Sequence, residues 1–291
     1  MVAFSATLGS LYQSQWAHLT QMPTTFDVIL DRPQTAIDAL AHHTGLSRQK
    51  LKDAMNKGAC WWTSKGKQLR LRRATKDLPA GTRLQLFYDE KVLALKPEAP
   101  QRLEDVGRYS VWYKPHGLLA QGSQWGDHCS LLRWVEVVRQ RECFLVHRLD
   151  ADAAGLILIA HDAQAAAALS QLFQGRSLRK HYQAWVSGEL QATGLRLEQP
   201  LDGKDALTWV NTAVIDQPNN RSLVDVRIET GRKHQIRRHL AAIGHPIMGD
   251  KLYGQANQQP LQLLAWQLGF ECPLLKRPIT ISLPEPLKFR L

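Results

Sequence analysis

His147-Arg148-Leu149-Asp150-Ala151-Asp152-Ala153-Ala154-Gly155-Leu156-Ile157-Leu158-Ile159-Ala160 is the stretch on which the fold turns. A charged quartet ends in a carboxylate, small residues and a glycine follow, and an apolar run of strand length closes the segment. Such a pattern delivers one Asp onto a tight turn beside a buried strand. A lone Asp in a turn is usually a cap or a surface charge. Here it lies between Leu149 and a strand that must be buried, so its carboxylate is partly desolvated and needs a cation. Arg148 is one candidate. Arg237, in Thr230-Gly231-Arg232-Lys233-His234-Gln235-Ile236-Arg237, is the other.

Around this stretch the chain is basic. Its 291 residues carry 37 Lys or Arg against 26 Asp or Glu, a formal charge of +11, which favours RNA, DNA or an anionic surface as partner. The excess is concentrated: twelve Lys or Arg against four Asp or Glu fall between Thr44 and Lys91. No run of eighteen apolar residues predicts a membrane-spanning helix, and the first twenty residues lack a secretory pattern. The four cysteines, Cys60, Cys129, Cys143 and Cys272, are scattered without zinc spacing. The expectation is a cytoplasmic protein with reduced thiols, monomeric by default and without a membrane partner.

The pattern divides the chain into an arm over 1–25, a small basic unit over 26–95, a Pro-containing linker over 96–106 and a large domain over 107–291. In the small unit, Ala36 to Thr44 reads as a helix stopped by Gly45. Ser47 caps a second helix from Arg48 to Lys57, and short strands flank Pro79-Ala80-Gly81. Trp61 and Trp62 could stack on bases, although such residues more often fill a small core. The large domain alternates strands with few helices: Tyr109–Tyr113, Gly155–Ala160, Lys180–Val186, Thr208–Val214, Ser222–Glu229, 262–268 and 279–283, with an alanine-rich helix after Asp162 and a helix from Lys233 to Ile243. This predicts an α+β fold on a largely antiparallel sheet.

Three groups carry candidate chemistry. Asp150 is the first. Tyr182 is the second, sharing one strand face with Lys180, an arrangement suited to a base stacked near a phosphate, although taken alone such a residue is more often a packed core aromatic. The third is the basic run Gly231 to His239, which opens a helix where backbone N–H groups favour anions or else forms a solvated basic face; Arg237 and Arg238 diverge by about 100° there, so that one could pair with Asp150 inside and the other meet phosphate outside. Other chemistries lack their motifs. His234 and His239 are five apart, unlike a zinc-binding HExxH pair, and no P-loop, GxGxxG or GxSxG run is present. The sequence therefore predicts neither metal nor cofactor.

These residues resemble the RluA-type RNA pseudouridine synthases. The resemblance rests on four ordered blocks that span nearly all of 107–291. They are Tyr113-Lys114-Pro115-His116-Gly117-Leu118, the run from His147 to Ala160, Lys180 to Gly188, and Thr230 to Gly254. The block opening with His147 favours this branch over sister branches whose motif opens with Gly. Where the family often has Asp-Thr-Ser-Gly-Leu, this chain has Asp152-Ala153-Ala154-Gly155-Leu156, losing two hydroxyls. The unit from Thr35 to about Lys91 resembles the alpha-L RNA-binding domain of ribosomal small-subunit protein S-four, around Gly45 to Leu51 (which includes Arg48 and Lys50) and Leu78 to Thr82. Its usual valine-rich Asn-Gly hairpin is replaced by Cys60-Trp61-Trp62-Thr63-Ser64-Lys65-Gly66-Lys67.

The resemblance implies a pseudouridine synthase catalytic domain on a mixed sheet, behind a small α+β RNA-binding domain. It implies isomerisation of uridine to pseudouridine in RNA, on a base flipped out of its stack. Asp150 would be the catalytic carboxylate, as nucleophile or base at the ribose. Arg237 would hold it ionised, Tyr182 would stack on the uracil, Arg148 would fill the vacated gap and Ile236 would line the pocket. Lys180, His147, Arg232, His234, Gln235, Arg48 and Lys50 complete the expected RNA contacts. Large-subunit ribosomal RNA is the expected substrate and transfer RNA the alternative. Two other readings compete: an RNA-binding ribosome-assembly factor without activity, and a glycosidase-like hydrolase using Asp150, for which no second carboxylate stands in a matching motif.

Overall fold

The computed structural model describes residues 22–175, 178–255 and 259–289. Its contacts divide the chain into two compact units, one of residues 1–96 with 122–128, the other of 97–121 with 129–291. Most of the arm expected over 1–25 lies outside the described residues.

The first unit runs β1 (Thr24–Ile29), β2 (Gln34–Thr35), α1 (Ala36–Thr44), α2 (Arg48–Asn56), β3 (Cys60–Ser64), β4 (Lys67–Arg70), β5 (Asp77–Leu78), β6 (Arg83–Tyr88) and α3 (Glu90–Ala94). Thr24 and Thr25, read from sequence as part of the arm, open β1. Local chemistry sets the helix bounds. Thr35 Oγ1 accepts from the Asp38 N–H at the start of α1, Gly45 ends that helix with φ 68°, and Ser47 caps α2. Four strands pair in the order β1-β6-β3-β4, and β2 pairs with β5. Lys65 and Gly66, with φ of 50° and 74°, close the β3–β4 hairpin. The two-residue loop keeps the sign of φ that an Asn-Gly pair would supply. Ala36, Leu40, Leu51, Met55, Leu84 and Leu86 fill the core. Trp62 packs against it under the Lys76 ammonium, and Trp61 lies under the Arg70 guanidinium and donates to the Gln124 carbonyl.

The second unit begins earlier than its sequence suggests. Residues 101–105, expected as linker, form β7 (Gln101–Asp105), an edge strand paired with β8 (Tyr109–Lys114). Its charged side chains hide the strand pattern because an edge position leaves them in solvent. There follow α4 (Leu131–Arg139), β9 (Phe144–Leu145), β10 (Ala154–Ala160), α5 (Ala163–Gln174), β11 (Arg179–Ser187), β12 (Leu195–Leu197), β13 (Thr208–Asp216), β14 (Arg221–Ile228), α6 (Gln235–Ala242), β15 (Leu263–Cys272) and β16 (Arg277–Ser282). They make one mixed sheet ordered β12-β13-β14-β11-β15-β10-β8-β7, with β16 on β15 and β9 on β10. Among the described pairs, β10 with β15 is the parallel one and the rest are antiparallel.

That parallel pair explains Gly155. Its φ is +127°, and a Cβ there would collide with the backbone of Ala265. The strand behind Asp150 thus approaches β15 more closely than any side chain permits. All seven residues of β10 are buried. Apolar clusters around Leu156, Leu158 and Leu169, around Val224, Val226 and Leu240, and around Leu131, Val135 and Ile157 fill the unit.

Candidate active site

Asp150 occupies the turn between β9 and β10, and a second loop clamps this turn. Lys114, at the end of β8, is fully buried and its ammonium donates to three carbonyls: Pro115 at 3.0 Å, Leu118 at 2.8 Å and Ala151 at 3.1 Å. The Gly117 N–H donates to the same Ala151 carbonyl, and His116 Nδ1 meets the Asp152 carbonyl at 2.7 Å. Burial pulls the Lys114 ammonium down to about 7, against the opposing pull of Asp152 and Asp150. The Tyr113–Leu118 block thus fixes the backbone on either side of the carboxylate.

The Asp150 side chain is 27% exposed and faces two groups from the fourth block. Arg237 Nη1 lies 3.5 Å from its Oδ2, and His234 Nε2 lies 3.7 Å from the same oxygen. The strong hydrogen bonds of Arg237 go elsewhere. Its Nε and Nη2 donate to Asp250 at 2.8 and 2.7 Å, a bidentate pair in which Arg237 is 2% exposed and Asp250 fully buried. Burial opposes the Arg237 charge, but the bonds and charge of Asp250, then the charge of Asp150, hold its ionisation above the ordinary range. Burial likewise opposes the Asp250 charge, and Arg237 with the Leu252 and Tyr253 N–H groups outweighs it, so this carboxyl stays below the usual carboxylate range. The direct Asp150–Arg237 pair expected from sequence is therefore the looser contact of a guanidinium anchored by Asp250. Asp250 stands thirteen residues from Arg237 across a helix and a turn, a separation without local periodicity to betray it.

Tyr253 ties the other side. Its ring lies under Arg237 at 5.3 Å, and its hydroxyl meets His234 Nδ1 at 3.0 Å. With that hydroxyl donating, the imidazole places Nε2–H towards Asp150 without adding charge. Burial first, then Arg237 and Lys233, hold His234 below its usual value against the pull of Asp150. His234 also has φ 54°, so α6 starts at Gln235 rather than at Lys233. Gln235 is committed inside the fold: its Oε1 accepts from Thr230 Oγ1 and the Arg232 N–H, and its Nε2 donates to Leu207 O and Thr208 Oγ1.

A cavity of about 410 Å³ opens on Asp150, lined by Arg148, Tyr182, Arg232, His234, Ile236 and Arg237 among others. The fourth block and the Asp150 turn, distant in sequence, meet here. Burial, then the Asp150 charge, keeps the Tyr182 hydroxyl protonated well above its ordinary value. Arg148 is exposed on the rim, and Arg232 Nε donates to the Asp205 carbonyl at 2.8 Å. His147 does not reach this cavity. Its ring stacks on Phe173 at 3.9 Å and its Nε2 accepts from the Leu158 N–H at 3.0 Å, an internal brace rather than an exposed RNA contact. Burial, then Lys180, pushes it down to about 3. In the first unit Arg48 pairs with Asp38, and Lys50 with Glu90 at 2.8 Å. Lys52, Lys65, Lys67 and Arg73 are exposed without an ion pair among the described residues.

Residues 108–242 match the RNA pseudouridylate synthase family. The dual-specificity RNA pseudouridine synthase RluA of Pasteurella multocida is 35% identical over 196 residues, 60% of this chain and 89% of that protein. The ribosomal large subunit pseudouridine synthase D of Nitrosomonas europaea is 31% identical over 55% of this chain and 54% of its own length, so the chain spans about half of that relative. Among solved structures, human RNA pseudouridylate synthase domain containing 1 shares the fold, with a TM-score of 0.57 at 20% identity over 67% of this chain and 88% of that one. The chain belongs to the RNA pseudouridine synthases, which are isomerases.

Proposed function

We propose that this chain converts uridine to pseudouridine in large-subunit ribosomal RNA, with Asp150 as the catalytic carboxylate. The observation that carries the reading is the convergence of an anchored Arg237, a protonated Tyr182 and a clamped Asp150 turn on one 410 Å³ cavity. In it the flipped nucleoside sets its ribose against Asp150 and its uracil over Tyr182. Asp150 acts at the ribose, as nucleophile at C1′ or as base, and the bond from C1′ to N1 breaks. The base turns, its C5 bonds to C1′, and the C5 proton leaves. Arg237 aims the carboxylate, and Arg148 on the rim occupies the space that the base has left. These steps use side chains of the chain itself, and the reading assigns no metal or cofactor.

The substrate assignment is supported by the similarity to the large-subunit synthase of Nitrosomonas europaea and by the basic first unit, which resembles an RNA-binding domain. The dual specificity named for the Pasteurella multocida relative keeps transfer RNA as the alternative. Tritium release from RNA labelled at C5 of uridine decides between them. Release from unmodified ribosomal RNA alone is expected. Release from transfer RNA alone would move the substrate, and release from neither, with tight binding retained, would favour the assembly-factor reading.

A further inference from the structure

Among the described residues, every buried cation near the site has a partner in the fold except one. Lys114 has three carbonyls and Arg237 has Asp250. Lys180 is 8% exposed and, among the described residues, makes no hydrogen bond or ion pair. It lies two positions before Tyr182 on β11, on the same face and about 7 Å along the strand. It lines a second cavity of about 330 Å³, which shares Arg148, Leu149, Tyr182, Ile228 and Gly231 with the cavity at Asp150. A Cβ on Gly231 would stand 3.8 Å from the Lys180 Nζ, which places the ammonium at the boundary between the two compartments.

The surroundings offer it no counter-charge. His147 faces it as a neutral ring, Arg148 adds a second cation, Tyr182 presents a protonated hydroxyl, and α5 contributes Ser170, Phe173 and Gln174. Among the described residues, no carboxylate lines this compartment. A buried ammonium without a partner is destabilising, so its presence points to an anion that arrives with the substrate. Two anions do so, a backbone phosphate and the uracil once it has left the ribose. Val146, Leu149, Leu156, Ala265 and Leu268 give the compartment apolar walls, which fit a flat ring better than a hydrated phosphodiester.

Resting on the isomerase reading of Asp150, we propose that Lys180 carries the negative charge of the detached uracil, and that its compartment is the room in which the base turns. When the bond from C1′ to N1 breaks, its electron pair leaves with the base, giving a uracil anion with charge spread over N1, O2 and O4. The Lys180 ammonium pairs with a carbonyl oxygen of that anion and keeps its own proton. The electron pair then forms the C5–C1′ bond, the C5 proton passes to solvent and N1 takes a proton from solvent, so composition is unchanged.

The test compares the wild type with Lys180→Met and Lys180→Arg in the full chain, on an RNA that the wild type modifies. Lys180→Met is expected to lower kcat about 100-fold, the scale of losing one charge-stabilising donor, with KM and RNA affinity within about twofold. Lys180→Arg recovers most of the rate. With 5-fluorouridine at the target, whose uracil anion is more stable, the Lys180→Met deficit in bond cleavage shrinks. The Lys180→Met protein also melts at a higher temperature, because a lone buried charge is gone. A raised KM with unchanged kcat would mean a phosphate contact, and a lower melting temperature a structural role; either overturns the proposal. Wild type and Lys180→Met equally active, beside an inactive Asp150→Asn, would overturn it while leaving the isomerase reading intact.

Discussion

The two basic regions of this chain treat their charges in opposite ways. In the first unit Arg48, Lys50 and Arg83 are exposed and held by Asp38, Glu90 and Asp27. Such exposed pairs contribute little to stability and exchange partners readily. Behind Asp150 the Arg237–Asp250 pair is buried, and breaking such a pair costs about 3–5 kcal/mol. Charge density in a sequence therefore marks where a polyanion is attracted, while burial marks where geometry is fixed. The first unit can give up a carboxylate for a phosphate. The Asp250–Arg237–Asp150 line cannot rearrange without loss of the site.

The largest effect should come from Asp250→Asn, which leaves Arg237 buried with a neutral partner. Stability should fall by about 3–5 kcal/mol in denaturant titration, and turnover should fall in the fraction that remains folded. A stable and fully active variant would show that Arg237 is held by other means. Gly155→Ala should cost about 2–3 kcal/mol, because its methyl meets the Ala265 backbone and its φ is +127°. A neutral result would mean that β10 and β15 can part.

His147 gives a pH dependence. Its folded value is about 3 against an ordinary 6.5, so between these values the unfolded chain binds the extra proton. Stability then rises with pH across that window and is lost as pH falls through it. His147→Leu should flatten this slope while losing the acceptor for the Leu158 N–H. An unchanged slope would assign the dependence to other groups. The smallest effects belong to the first unit. Replacing Lys52, Lys65, Lys67 and Arg73 singly by Ala should reduce the salt slope of RNA binding by up to about 1 each. Arg48→Ala and Lys50→Ala should change it less, since a carboxylate already occupies each. The reverse ranking would place the RNA on α2.

Much of this was legible in the sequence. An unbroken apolar run gave β10, alternation gave β11, β13 and β14 to within a residue or two, and Ser47, Gly45 and Asp162 marked helix ends because caps are local chemistry. Edge strand β7 was not legible, since its charges read as linker. Helix α4 escaped because Trp134, Val137 and Val138 face solvent and blur its apolar stripe. In the site, Asp150, Tyr182 and Arg237 could be named from the turn, the strand face and the basic run. The roles of Asp250, Lys114 and Tyr253 depend on contacts between segments far apart in the chain, which no spacing encodes. His147 and Gln235 looked like RNA ligands because they are polar within a basic run, yet hydrogen bonds turn both inward.

The measurement that tests the central claim most directly is the single-turnover rate of tritium release by the wild type and Asp150→Asn, with RNA affinity measured on the same proteins. Loss of release in the variant with affinity within about twofold is the predicted result, because in the proposed reading Asp150 acts on the ribose while binding is spread over the cationic surface. Release by Asp150→Asn at the wild-type rate would contradict the account, and would place the chemistry on another residue.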